Sequence, residues 1–312
     1  MTRIARAFVL ASIPLLVLAS YLARADEMWK GRVCYARKEG DRILLHLMDP
    51  DGKNDQLLPN QPGKVNLMPA WAPDGKRIAF MSGETTNGRR FGLYVIAIDG
   101  SGLKRLAPEE QLAGLPAWSP DGKIIAFVAE RQNEPQLMTI NADGSGARLL
   151  NVGMRFAVAP FFSPDGKRLA FTGGDRPDDK LALSLYTANL DGTGVQKLSG
   201  GEGILLGGAG AWSPDGSAIA YATLDPEKKE GSVHVWLVAD KVDNRLASIK
   251  LGDGELESFP VCSWSPDGKW LITCQAGDDG KASVWRLSAD GEKKERITPA
   301  GATCYCPAWS RS

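Results

Sequence analysis

Histidine is nearly absent from the 312 residues: only His46 and His234 occur. A catalytic metal held by imidazoles needs several ligands converging on one point. Two histidines in separate segments cannot build such a centre, and no metal or other cofactor is expected. The chain also lacks a Gly-x-Ser-x-Gly segment, the turn that presents a hydrolase serine, so no catalytic residue is assigned. A charge imbalance is missing too, since Lys and Arg number 37 and Asp and Glu number 37. The basic residues stand singly or in pairs such as Arg89-Arg90. They leave no cationic stripe to displace counterions from phosphates, which argues against nucleic acid as a partner. Beyond residue 22, no apolar run approaches the roughly 18 to 20 residues of a membrane span.

The one long apolar run lies at the start. Arg3 and Arg6 precede it, it extends over residues 7–22, and Ala23-Arg24-Ala25 follows as a small-x-small site. This order predicts a cleaved export signal over residues 1–25. The mature chain, 26–312, is then expected in the periplasm or outside the cell, as a monomer without a membrane span.

Proline and glycine, by contrast, are plentiful and arranged. Pro-Asp-Gly follows an aromatic residue at Trp71-Ala-Pro73, Trp118-Ser-Pro120, Phe162-Ser-Pro164, Trp212-Ser-Pro214 and Trp264-Ser-Pro266, and Pro307-Ala-Trp309-Ser310 is a truncated copy. The aromatic residues stand about 44 to 52 positions apart, the period of a four-stranded propeller blade. Proline presets φ for the turn, aspartate bonds nearby amides, and glycine accepts the left-handed conformation. After each turn comes a β-rich run such as Lys76-Arg-Ile-Ala-Phe80 or Lys123-Ile-Ile-Ala-Phe127, and no capped amphipathic helix intervenes. Residues 32–58 supply three strands without an innermost one, whereas 306–309 supply only an innermost strand. The expected fold is therefore all-β: a six-bladed β-propeller closed by a blade split between the N- and C-termini.

These repeats resemble the TolB-type repeat, a subclass of WD-like propeller repeats, over nearly the whole mature chain. The resemblance implies a propeller scaffold of the bacterial cell envelope. Propellers of this type also carry an α/β domain in TolB itself and a hydrolase domain in oligopeptidases, and neither pattern is read in these residues.

Five cysteines occur, Cys34, Cys262, Cys274, Cys304 and Cys306, an odd number for an exported chain. If Met68 lies opposite Ala79 across the first complete turn, the corresponding pair in the split blade is Cys306 and Cys34. That register admits a Cys34–Cys306 disulfide; the alternative is two buried thiols. The turn residues Asp74, Asp121, Asp165, Asp215 and Asp267 form a ring of carboxylates, but each has a local turn to make. Asp49 to Asp55 is similar to a calcium loop yet has Asn60 where the bidentate glutamate belongs.

Function is expected on the face opposite the Pro-Asp-Gly turns. There the loops joining second to third strands differ widely, as in Gly83 to Arg90, Glu130 to Glu134 and Gly174 to Asp179, and varied loops on a rigid scaffold make a binding face. The channel mouth, read from the residues five and four before each aromatic, includes Asn66, Phe259 and Tyr305 and no ordinary acid or base, although TolB-type repeats are commonly polar or acidic there. The candidate binding face is Asn66, Arg89, Arg90, Glu130, Arg131, Asp175, Arg176, Phe259 and Tyr305. The function read from these features is a non-catalytic scaffold or binding module for an envelope protein, peptide or glycan. The alternative is a propeller enzyme, lyase-like or hydrolase-like, acting on an envelope or extracellular glycan.

Overall fold

The computed structural model describes residues 31–85, 90–107, 113–174, 183–199, 210–225, 228, 230–251 and 261–311. The proposed export signal lies outside them. Among the described residues there are strands and turns but no helix. The chain begins with β1 (Val33–Glu39), β2 (Arg42–Met48), β3 (Gln56–Leu57), β4 (Val65–Trp71), β5 (Arg77–Gly83), β6 (Gly92–Ala97) and β7 (Lys104–Arg105). Next come β8 (Ala113–Trp118), β9 (Ile124–Arg131), β10 (Glu134–Asn141) and β11 (Arg148–Leu149), then β12 (Phe156–Phe162), β13 (Arg168–Gly174), β14 (Ser184–Asn189) and β15 (Gln196–Ser199). The remainder is β16 (Ala211–Trp212), β17 (Ala218–Asp225), β18 (Glu230–Leu237), β19 (Val242–Lys250), β20 (Ser263–Trp264), β21 (Trp270–Ala276), β22 (Ala282–Ser288), β23 (Lys294–Arg296) and β24 (Cys304–Trp309).

The all-β propeller class is what the structure shows, but the expected six separate blades are not. Strands β8–β11, β12–β15, β16–β19 and β20–β23 form four discrete four-stranded blades, while β24, β1–β3 and β4–β7 belong to one eight-stranded sheet. The join is small: Ile43 of β2 pairs in parallel with Val65 of β4. The Ile43 amide donates to Lys64 O at 2.8 Å, and Asn66 Nδ2 donates to Ile43 O at 3.2 Å. A count by turn motifs cannot register a bond between neighbouring repeats. β24 pairs antiparallel with β1, Val33 opposite Trp309. Beside it, Ser310 N donates to Arg32 O at 2.8 Å and Arg32 N to Ser310 Oγ at 2.7 Å, the same pair of bonds that Ser119 and Ile124 make across a continuous turn.

The Ile-Ala-Phe signature has a packing cause. Strand residues alternate between faces, so Ile78 and Phe80 pack with Cys34, Leu45 and Leu47, while Ala79 packs with Trp118, Ile125 and Phe127 of the next repeat. Ala126 likewise meets Phe162, Leu169 and Phe171, and Ala170 meets Trp212, Ile219 and Tyr221. Large side chains facing one neighbour and alanine facing the other let twisted sheets stack closely. Phe80 and Phe171 are fully buried, each contributing about 1.5–3 kcal/mol.

The Cys34–Cys306 register also requires correction. Cys34 pairs with Ala308, and in the first complete turn Ala79 pairs with Ala70, not Met68. A bulge in β4, β8, β12 and β24 shifts the register beyond that point. All five cysteines are buried and none is in a disulfide.

Candidate binding site: the turn-face end of the channel

The bulge recurs three residues before the aromatic. Met68, Leu115, Ala159 and Cys306 have φ of 51, 52, 52 and 47°, and the ladder slips at each of them. A bulky residue held in the left-handed region costs about 1–3 kcal/mol and persists only where its surroundings enforce it. In each case proline follows, and Pro69, Pro116, Pro160 and Pro307, which need no amide partner, line a central cavity of about 150 Å³. Trp71, Trp118, Phe162, Trp212 and Trp309 complete much of the wall, and Pro73, Ser119 and Pro120 place the cavity at the end bearing the Pro-Asp-Gly turns.

Arg311 is the charged residue of that lining. It stands two residues after Trp309, the position that proline holds after Trp71 and Trp118. Its side chain is solvent-accessible yet surrounded by protein, as at the mouth of a hollow, and this desolvation lowers its pKa. Among the described residues no carboxylate is paired with it. Cys262 and Cys306 also line the cavity, but burial pushes both thiols up to about 12, so neither is a thiolate at neutral pH.

The indole nitrogens divide into two groups. Trp71 Nε1 donates to Ala308 O and Trp264 Nε1 to Ala211 O, both at 3.1 Å and both across to the preceding innermost strand. Trp118 Nε1 and Trp212 Nε1 are buried without an acceptor. An unpaired buried donor costs roughly 1–3 kcal/mol.

Among the described residues, the expected binding residues are not brought together. Asn66 is fully buried and ties Ile43 O and Gly63 O, at 3.2 and 3.0 Å. Tyr305 is buried opposite Ala36. Leu67, Ala113, Ala157, Val158 and Cys304 are also buried, so packing occupies the expected mouth among the described residues. Arg90 is exposed beside a separate hollow with Glu84, Tyr94 and Arg105. Glu130 and Arg131 sit on the β9–β10 hairpin, opposite Pro135 and Glu134. Arg89, Asp175, Arg176 and Phe259 lie outside the described residues. The cavity was missed although a signal existed: Met68-Pro69, Leu115-Pro116, Ala159-Pro160 and Cys306-Pro307 occupy one repeat position.

Both histidines tie outer strands to inner ones. Asp55 Oδ1 accepts from Tyr35 OH at 2.8 Å and lies 3.1 Å from His46 Nδ1, and Arg37 donates to Asp55 Oδ2 at 2.8 Å. In the fourth repeat Tyr221 OH donates to Asp243 Oδ2 at 2.5 Å, and His234 Nδ1 lies 3.3 Å from Asp243 Oδ1. Burial raises the Asp243 pKa, but the contacts from His234 and Tyr221 outweigh it and the carboxyl is held below its usual range. Among the described residues no group of three His, Cys, Asp or Glu side chains is placed to hold a metal ion.

The family described as the TolB beta propeller domain matches residues 21–312. A Tol-Pal system protein TolB from Aromatoleum aromaticum is 44% identical over 55 residues, 17% of this chain and 12% of that relative. The aligned part thus spans about an eighth of the relative's length. The structure of TolB from Acinetobacter baumannii superposes with a TM-score of 0.72 at 21% identity, covering 94% of this chain and 71% of that one. An oligogalacturonate lyase in complex with manganese superposes with a TM-score of 0.57 at 14% identity, covering 87% and 74%. At these identities the two structures speak to the fold alone.

Proposed function

The chain belongs to the TolB beta propeller domain family, and we propose that it is an exported, non-catalytic binding module of the cell envelope, acting in the periplasm on a protein, peptide or glycan partner. The observation that carries this reading is the chemistry of the channel cavity. Its described wall combines proline, tryptophan and other apolar side chains with Ser119, Ser263 and Arg311, and it holds no carboxylate or imidazole for acid–base work. Such a wall suits recognition by packing. The Tol-Pal designation of the relative supports an envelope protein as partner.

The second reading, an enzyme acting on an envelope or extracellular glycan, is favoured by the likeness to the manganese-bound lyase. The donor set among the described residues does not fit that metal. Two experiments separate the readings. Affinity capture from an envelope extract, with the Arg90→Ala, Glu130→Ala and Arg131→Ala chain alongside the wild type, is expected to return a partner absent from an unrelated propeller control, and loss with the triple change assigns the loop face. Incubation with manganese and oligogalacturonate, followed by ultraviolet absorbance of unsaturated product, is expected to show no turnover; turnover above a metal-free control would overturn the non-catalytic reading.

A further inference from the structure

We propose that the turn-face end of the channel is a receptor for a single apolar, ring-sized group bearing a carboxylate, which packs on the proline and tryptophan wall and pairs with Arg311. Size comes first. About 150 Å³ is the volume in which an apolar cavity accepts one benzene ring, and it is below the roughly 300 Å³ at which drug-sized ligands begin. The occupant is therefore one side chain or one small acid, not an extended segment.

The wall chemistry selects an apolar body. Pro69, Pro116, Pro160 and Pro307 present rings without N–H donors, and the tryptophans offer flat faces for offset or edge packing. These prolines are set there by the left-handed residues before them, a repeated strain with a repeated geometric result.

The polar complement selects the charge. Arg311 replaces the turn proline at the rim and has no carboxylate partner among the described residues. Desolvation disfavours its charge, so an incoming carboxylate meets a cation that gains from pairing. Trp118 Nε1 and Trp212 Nε1 are donors of two lining residues, each more than nine-tenths buried and without acceptors. Their counterparts on Trp71, which lines the same wall, and on Trp264 are satisfied by the protein itself. A carboxylate on a ring-sized body pairs with Arg311 while the ring packs against the indoles of the wall. The inference rests on the same cavity that carries the proposed function, but its ligand test is separate from capture on the loop face, so either can fail alone.

The test uses 3-phenylpropanoate, its neutral amide, and a blocked tripeptide ending in phenylalanine as free acid or amide, added to the full mature chain. Binding is followed by tryptophan fluorescence and by the indole N–H resonances. The acids are expected to bind at least about tenfold more tightly than the amides, as loss of one charged hydrogen bond requires, and to shift the Trp118 and Trp212 indole signals. Arg311→Gln, a rim change that leaves the core untouched, is expected to remove the acid preference while the amides bind as before. A tighter peptide acid identifies the source as the C-terminal residue of a polypeptide; a tighter free acid identifies a small aromatic acid. Equal binding of acid and amide, an unchanged preference in Arg311→Gln, or no indole shift at millimolar acid overturns the assignment.

Discussion

Replacing Ser119 by alanine tests how the Pro-Asp-Gly turns are held. Ser119 Oγ donates to Asp121 Oδ1 at 2.6 Å and accepts from Ile124 N at 2.9 Å, and the same pair of bonds recurs at Ser163, Ser213 and Ser265. The first turn has Ala72 instead, and there Arg77 Nε bonds Asp74 at 2.9 Å. Asp121 is exposed, so solvent limits its lost bond to about 1 kcal/mol. Leaving the half-buried Ile124 amide without its side-chain acceptor adds about 1 kcal/mol. Ser119→Ala should therefore destabilise by about 1–2 kcal/mol, or roughly 2–8 °C in Tm for a chain of this size, and Ala72→Ser should move Tm upward. The Ser119 hydroxyl is the chief reason that the Asp121 carboxyl is held below its usual range. A carboxyl that is more acidic folded than unfolded contributes in full above the unfolded value near 3.9 and loses that contribution as pH falls through the folded one. The gap between Ser119→Ala and wild type, measured by urea unfolding, is thus expected at pH 7 and should narrow below about pH 4. An equal gap at both, or no gap at pH 7, would refute the reasoning.

Asp55→Ala removes the shared acceptor of Tyr35, His46 and Arg37 and should cost about 1–3 kcal/mol in urea unfolding, whereas Asp55→Asn, which keeps one acceptor oxygen, should cost less. Gly192→Ala places a Cβ 2.1 Å from Asn151 O at φ +86°, while at Gly153, φ +71°, nothing lies within 4 Å; the first change should lower the denaturation midpoint well beyond the second, whose cost is the backbone conformation alone, about 1 kcal/mol. Burial pushes the thiols of Cys262, Cys304 and Cys306 up to about 12, so a disulfide-exchange reagent at pH 8 should label none of the five cysteines rapidly in the folded chain and all five after denaturation. Fewer than five in the denatured, unreduced chain would show that a disulfide exists.

Architecture was legible because its cause is local and repeated. Trp118-Ser-Pro-Asp-Gly contains its own turn chemistry, and Ile125-Ala-Phe127 contains its own two-sided packing. The blade count failed at a contact of another kind: the Ile43–Val65 pairing joins neighbouring repeats through a single parallel bridge, and neither residue carries a mark of it. The cysteine register failed for a related reason. Cys306 and Met68 occupy the same repeat position, but both lie in a left-handed bulge that the side-chain type does not signal, since methionine, leucine, alanine and cysteine all occupy it.

The same bulge sets the two ends of the innermost strands apart. A pattern reading treats innermost strands as straight, so residues nearest the loops, such as Asn66 and Tyr305, become the channel mouth. In the structure Asn66 and Tyr305 are buried, and the prolines that follow the bulge line a cavity at the turn face. Arg311 then acquires a meaning that its place after Trp309 alone did not suggest. Every other described repeat has proline at that point, a residue that closes a turn and carries no charge, and this one has a cation at the rim of an apolar hollow. Arg311 is itself exposed and stays cationic in the free protein, so what an anion adds there is the pairing that Arg311→Gln tests.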